Sequence, residues 1–202
     1  AYRQPRAFDV KMFTGYVLQA DGYHYKALRY FKEARGRGMM GEFPLADGLE
    51  RFGRSTEARS LLAGRDGLSP ENANPTEAWQ QMRAATLMLD WEMAAEYARA
   101  YQKLRPEKMQ GLLIEWLASE YLGNQARAGE LREESLSMTT SSNRYQKAAS
   151  LIKTGTEPTV RDLTDLKDGN IRFDTGLLFA LLNWEKDPSS SLRRAQLSSW
   201  VS

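Results

Sequence analysis

The chain has 202 residues, no cysteine, and 28 Lys plus Arg against 26 Asp plus Glu, a formal net charge of +2. That length holds one core or a stack of several helix pairs, while the near-neutral charge gives no polyelectrolyte argument for nucleic acid or a membrane surface. The missing cysteine excludes disulfides, thiolate metal sites and a cysteine nucleophile. No run approaches the roughly 20 apolar residues that insert in a bilayer; the richest, 176–182, has seven residues. The chain opens on Ala1 rather than Met, which reads as a processed protein or an excised domain. The compartment stays open between cytoplasm and bacterial periplasm after loss of an N-terminal signal or anchor.

From 10 to 36, apolar and small residues fall at helical spacing and are broken once, at Asp21 and Gly22, which predicts a helix hairpin. Gly15 lies inside its first helix, where glycine costs about 1 kcal/mol relative to alanine, so close approach of a second helix is expected there. Ala27 and Ala34 flank Phe31 on the second helix for the same reason. The next pair holds Leu45, Ala46, Leu49, Gly53, Ala58 and Leu62, with a clipped connection over 36–41 and Pro44 in the first turn of its first helix. A loop over 63–75, rich in Gly, Pro and Asn, leads to a third pair. This one has Trp79 and Met82, then Asp90 at the turn where glycine is usual, then Ala94, Ala98 and Tyr101, with Pro106 ending it.

A fourth pair, 109 to about 137, carries Leu112, Trp116, Gly123 and Ala128, and Leu131 packs where Arg132 takes the expected aromatic position. Residues 138–143 read as a polar Ser/Thr connector, after which Tyr145, Ala148, Ala149 and Ile152 restart the face of a fifth hairpin. A break at 154–158 and a turn at 162–166 follow. Asp174 or Thr175 then caps a strongly apolar helix through Trp184, and Asp187 caps a last helix, with Pro188 in its first turn, to about Trp200.

Ala27, Ala58, Ala94 and Ala128 recur at spacings of 31, 36 and 34 residues, close to the roughly 34-residue period of one helical-repeat family. With the small residue in the first helix, the glycine near the turn and the alanine-aromatic-alanine run of the second, residues 8–137 resemble the tetratricopeptide repeat. The resemblance implies an all-α fold, an α-solenoid of antiparallel helix hairpins. It makes 1–202 a single helical-repeat domain, with the divergent helical part 138–202 as a C-terminal cap. It also implies a non-enzymatic scaffold or adaptor that binds a partner protein or peptide in a concave groove, as part of a larger assembly.

In that family the first helices line the groove. This places Met12, Tyr16 and Gln19, then Phe43, Asp47 and Glu50, then Trp79, Arg83 and Thr86, then Leu113, Leu117 and Glu120 on the candidate partner-binding surface. Repeats that clamp a C-terminal carboxylate use lysines and asparagines there, and Met12 and Tyr16 disfavour that clamp. A mixed aromatic and acidic groove suits an extended segment or helix with apolar anchors and some basic residues. The alternatives are a structural or regulatory helical domain packing on a neighbouring domain of a longer protein, and an α/α enzyme.

Catalytic and cofactor chemistry finds little support in the sequence. His24 is a lone histidine in a turn region, and Glu115 and Glu120, five apart, read as solvated helix positions rather than a carboxylate pair. Residues 164–175 imitate a calcium loop only in offset: Thr164, Leu166 and Thr175 stand where ligands belong, so a turn of Asp168, Gly169 and Asn170 is the better reading. No glycine-rich phosphate loop occurs. Residues 1–40 carry eight Lys or Arg against three Asp or Glu, read as a solvated basic surface. No catalytic, cofactor or metal residue is expected, no nucleic acid or membrane insertion either, and the oligomeric state stays open.

Overall fold

Four residues with a left-handed backbone punctuate the first two thirds of the chain: Gly22 (φ 82°), Gly53 (φ 69°), Leu89 (φ 60°) and Gly123 (φ 73°). The computed structural model describes residues 7–34, 39–62, 69–154, 159, 161, 162, 166 and 169–201. Among them are eleven α-helices and no strand. Each left-handed residue joins two antiparallel helices in the same way, with the next N–H reaching back five residues. Tyr23 donates to the Leu18 carbonyl at 2.8 Å, Arg54 to Leu49 at 3.0 Å, Asp90 to Ala85 at 2.9 Å and Asn124 to Ser119 at 2.8 Å. This is the Schellman closure, which satisfies orphan carbonyls at a helix end and places the following helix at a fixed offset. Hence α1 (Ala7–Ala20) pairs with α2 (His24–Ala34), α3 (Met39–Arg51) with α4 (Ser55–Leu62), α5 (Pro75–Met88) with α6 (Trp91–Leu104), and α7 (Gln110–Tyr121) with α8 (Gln125–Ser141).

The helices sort into two compact units divided after residue 67. In the first, α1–α4, the crossing of α1 and α2 is as close as Gly15 suggests. A Cβ built on Gly15 would run into the ring of Phe31, itself almost fully buried between Ala27 and Ala34. In the second pair Ala46, Leu49, Ala58 and Leu62 are buried likewise. Helix α3 starts at Met39, so Pro44 lies inside the helix rather than in its opening turn. Its missing N–H there removes one early backbone bond. Residues 36–38 of the expected connection lie outside the described residues.

The second unit, from α5 onward, holds the larger core, with Trp116, Met82, Leu113 and Leu131 fully enclosed. A capping box opens α5: Asn74 accepts from the N–H groups of Thr76 and Glu77, and Glu77 accepts from that of Asn74. The turn after α5 differs from expectation by one position. Leu89, not Asp90, holds the left-handed conformation, and Asp90 caps α6 by accepting the Met93 N–H at 3.1 Å. Where α6 meets α7, a Cβ on Gly111 would stand 2.9 Å from the Ala98 carbonyl oxygen, so here the backbone sets the limit.

Beyond the four hairpins, the expected polar connector at 138–143 is helical through Ser141. Thr139 and Thr140 donate to the carbonyls of Leu136 and Ser137, so their hydroxyls are satisfied by the helix that carries them. A 3-10 turn (Asn143–Tyr145) and α9 (Gln146–Thr154) follow. Of the expected break at 154–158, Thr154 still belongs to α9 and 155–158 lie outside the described residues, as do much of the turn near 162–166 and Asp168. Helix α10 (Gly169–Lys186) begins five residues before the expected caps, so Gly169 and Asn170 open a helix rather than form a turn, and Asp174 and Thr175 sit buried within it. The last helix, α11 (Ser191–Val201), is capped by Ser190, whose hydroxyl accepts the Arg193 N–H at 3.4 Å. Asp187 instead folds the preceding turn by accepting from the Ser189 N–H and hydroxyl.

A left-handed backbone strains any residue with a Cβ by about 1–2 kcal/mol, and Leu89 is half exposed, so little packing opposes its removal. Leu89→Gly is expected to stabilise the protein by about 1 kcal/mol, seen as a higher urea midpoint; a lower midpoint contradicts this account of the turn. Gly15→Ala is expected to lose about 1–3 kcal/mol in the same measurement despite the better helix propensity of alanine, because the Phe31 ring has nowhere to go. A gain shows that the crossing can relax.

Candidate functional site

On α1 and α3 the side chains of Tyr16, Gln19 and Asp47 come together. Gln19 donates its amide to Asp47 Oδ2 at 3.1 Å, and the Tyr16 ring meets Phe31 edge-on at 5.4 Å. Burial around the Tyr16 hydroxyl, helped by the Asp47 charge, pushes its pKa up to about 12, so it stays a neutral donor. The rest of the Tyr16 ring is half exposed. Met12, Phe43 and Asp47 are buried, which leaves Tyr16 and part of Gln19 as the reachable portion of this group. The Glu50 side chain lies outside the described residues.

In the second unit the first-helix face formed by α5 and α7 is covered by the chain's own α10. Phe173 of α10 meets Trp79 of α5 edge-on at 6.3 Å, and the Arg83 guanidinium lies over both rings, 5.4 Å from the centre of Phe173 and 5.8 Å from that of Trp79. Helix α10 packs along α7, and α11 reaches α5. Leu113 and Leu117, expected on an open groove, are fully buried in the same core as Leu177, Leu178 and Leu181 and present nothing to a partner. Thr86 is buried as well and donates its hydroxyl to the Met82 carbonyl at 2.8 Å. At the far end Tyr121 stacks between Trp91 at 4.3 Å and Trp184 at 6.0 Å, and Arg132 bonds Glu185 at 3.0 Å.

The N-terminal part of α10 carries a buried acid. Asp174 accepts from the Tyr145 hydroxyl at 2.6 Å, and Tyr145 O in turn accepts the Met109 N–H at 3.4 Å. Nearby, the Tyr101 hydroxyl donates to Gln110 Oε1 at 3.2 Å. Burial raises the Asp174 pKa to about 7 against the opposing pull of Tyr145, Arg144, Lys108 and Gln110. The same burial, with the Asp174 charge, holds the Tyr145 hydroxyl well above the usual phenol range.

Glu115 is not the solvated residue its sequence context suggests. It is buried on α7, where Arg127 of α8 grips both its oxygens at 3.1 and 3.2 Å and Arg99 of α6 adds a bond at 3.3 Å. Those bonds hold the Arg127 guanidinium well above its ordinary pKa. Glu120 is partly exposed and accepts from Trp116 Nε1 and the Gln125 amide, each at 3.2 Å, tying the end of α7 to the start of α8. His24 is exposed at the first position of α2. Among the described residues no group of three or more potential metal-binding side chains gathers, and no helix is long and apolar enough to cross a membrane.

The sequence pattern gives Phe173 no role, takes Asp174 as a cap and puts Tyr145 on a helical face, whereas the structure buries the acid inside α10 against the Tyr145 hydroxyl. The signal was present: Leu177, Leu178, Phe179, Ala180 and Leu181 are consecutive and all buried, and a helix apolar on every side must be covered on every side. No protein-family model matches this chain, and no curated protein matches it.

Removing Glu115 leaves two arginines that are partly in water, so the loss is that of charge-assisted hydrogen bonds rather than of a stranded buried cation. Glu115→Ala is expected to cost about 1–3 kcal/mol in urea unfolding. The Arg127→Ala change should add little on top of it. Full additivity of the two in a double-mutant cycle contradicts the pairing.

Proposed function

We propose that α1–α8 are four hairpins of tetratricopeptide-like type and that the chain is a non-enzymatic interaction module, which holds a helical or extended segment of a partner protein on its first-helix faces as part of a larger assembly. One observation carries this reading: the face of α5 and α7 already holds a helix, through an aromatic edge, a guanidinium over two rings and a row of leucines. Aromatic and arginine anchors are the residue types that dominate protein recognition. In the first unit α1 offers the same kind of surface to a partner, with the half-exposed Tyr16 ring beside the Gln19–Asp47 pair. A half-exposed aromatic beside an amide favours a segment with an apolar anchor.

The complete burial of Leu113 and Leu117 favours a second reading, a structural domain whose second unit is permanently closed by its own C-terminal helices. A photo-crosslinking side chain placed at Tyr16, and as a control at the exposed Leu192, separates the two in cells of the source organism. The interaction reading expects a discrete protein adduct at position 16 and none at position 192. Adducts at both positions, or at neither, reject the assignment of this face, provided that circular dichroism shows both variants helical.

A further inference from the structure

Leucines at 177, 178 and 181 with Phe173 suffice to dock an amphipathic helix on α5 and α7, yet α10 also buries a carboxylate there. Burying a carboxylate is costly unless it is neutralised or fully hydrogen-bonded. Asp174 accepts one close bond, from the Tyr145 hydroxyl at 2.6 Å, and the Gln110 side chain is the further donor that acts on it, without a full-geometry bond to Oδ1. The groups that act on it are Tyr101 from α6, Lys108 before α7 and Gln110 on α7, and Arg144 and Tyr145 from the 3-10 turn. On α10 itself the adjacent Thr175 hydroxyl is spent on the Ile171 carbonyl. None of the described cations forms an ion pair with Asp174.

We propose that the α5/α7 face is a helix-docking site occupied in cis by α10 through a proton-dependent contact at Asp174. Its ligand in trans is an amphipathic helix with the aromatic and leucine spacing of Phe173, Leu177, Leu178 and Leu181 but an amide or apolar residue in place of the acid. This rests on the reading that first-helix faces receive helices. It adds which face, what pattern of ligand, and what controls access.

The direction follows from proton linkage. Released into water, Asp174 ionises near the ordinary carboxylate value of 3.8, whereas docked it holds its proton up to about 7. Docking of α10 therefore takes up a proton throughout that window. The docked state is strongest in acid, weakens about tenfold per pH unit as pH rises toward 7, and changes no further above it. A competing helix without the acid escapes this penalty, so it gains access as α10 loses hold.

Hydrogen exchange of the full chain at about pH 5, 6, 7 and 8, corrected for intrinsic rates, reads the opening of 169–186 directly. We expect opening of α10 to rise about tenfold per unit between pH 5 and 7 and then level off, with the amides of α6 keeping their protection. Asp174→Asn, which retains an oxygen for Tyr145, should flatten the profile. Tyr145→Phe, which removes a bond favouring the carboxylate, should move the levelling point to higher pH. A labelled peptide of residues 169–186 carrying Asp174→Asn should bind the full wild-type chain about 100-fold more tightly at pH 7 than at pH 5, because the cis competitor has weakened by that factor.

A wild-type α10 whose opening does not change with pH, or one that opens only in step with α6, overturns the proton-dependent contact. No binding of the peptide at pH 7, or equal binding at both pH values, overturns the docking site. Crosslinking at Tyr16 is independent of all these measurements, so the general interaction reading and this inference fail separately.

Discussion

How closely two paired helices can approach decides most of what this chain can build. At Gly15 the limit is the Phe31 ring, at Gly111 it is the Ala98 carbonyl oxygen, and in both places even a methyl group is too large. Alanines at 27, 58, 94 and 128 are almost completely buried. Small residues at these crossings let the bulky partners interlock. The left-handed closures act on the same constraint from the other side, because each fixes where the returning helix begins.

The hairpin pattern was legible in the sequence because both of its causes are local. Small residues at helical spacing mark a crossing, and a glycine before the next helix marks the closure. The one closure that lacks glycine shows the limit of this reasoning: the sequence puts Asp90 where glycine is usual, but Leu89 adopts the left-handed form and Asp90 caps the next helix. The ends of helices were harder to read. Thr139 and Thr140 look like loop residues, yet they bond to their own helix, and Asp174 looks like a cap, yet it lies inside α10. In each case a polar side chain had two ways to satisfy itself, one local and one set by packing, and composition does not distinguish them.

The candidate site was only partly legible for a related reason. In the structure Tyr16 lies near Asp47, and Trp79 and Arg83 meet on α5. What lies over a face is a matter of long-range contact, and the pattern of one hairpin carries no information about a helix that arrives much later in the chain. Glu115 teaches the same lesson with opposite sign, since its burial depends on arginines from the two flanking helices. Charge on a helix reads as solvent exposure until partners on both sides are counted.

Helix α10 also bears on synthesis. Trp79 and Phe173 touch across 94 positions of sequence, whereas the two helices of each hairpin meet across a single tight turn. As the chain leaves the ribosome, the hairpins from α5 to α8 can pair before the α5/α7 face has its cover, leaving Leu113 and Leu117 wet until the last leucines of α10 emerge. The nascent protein thus passes through a stage with a sticky open side, one that ends only when α10 itself has been made.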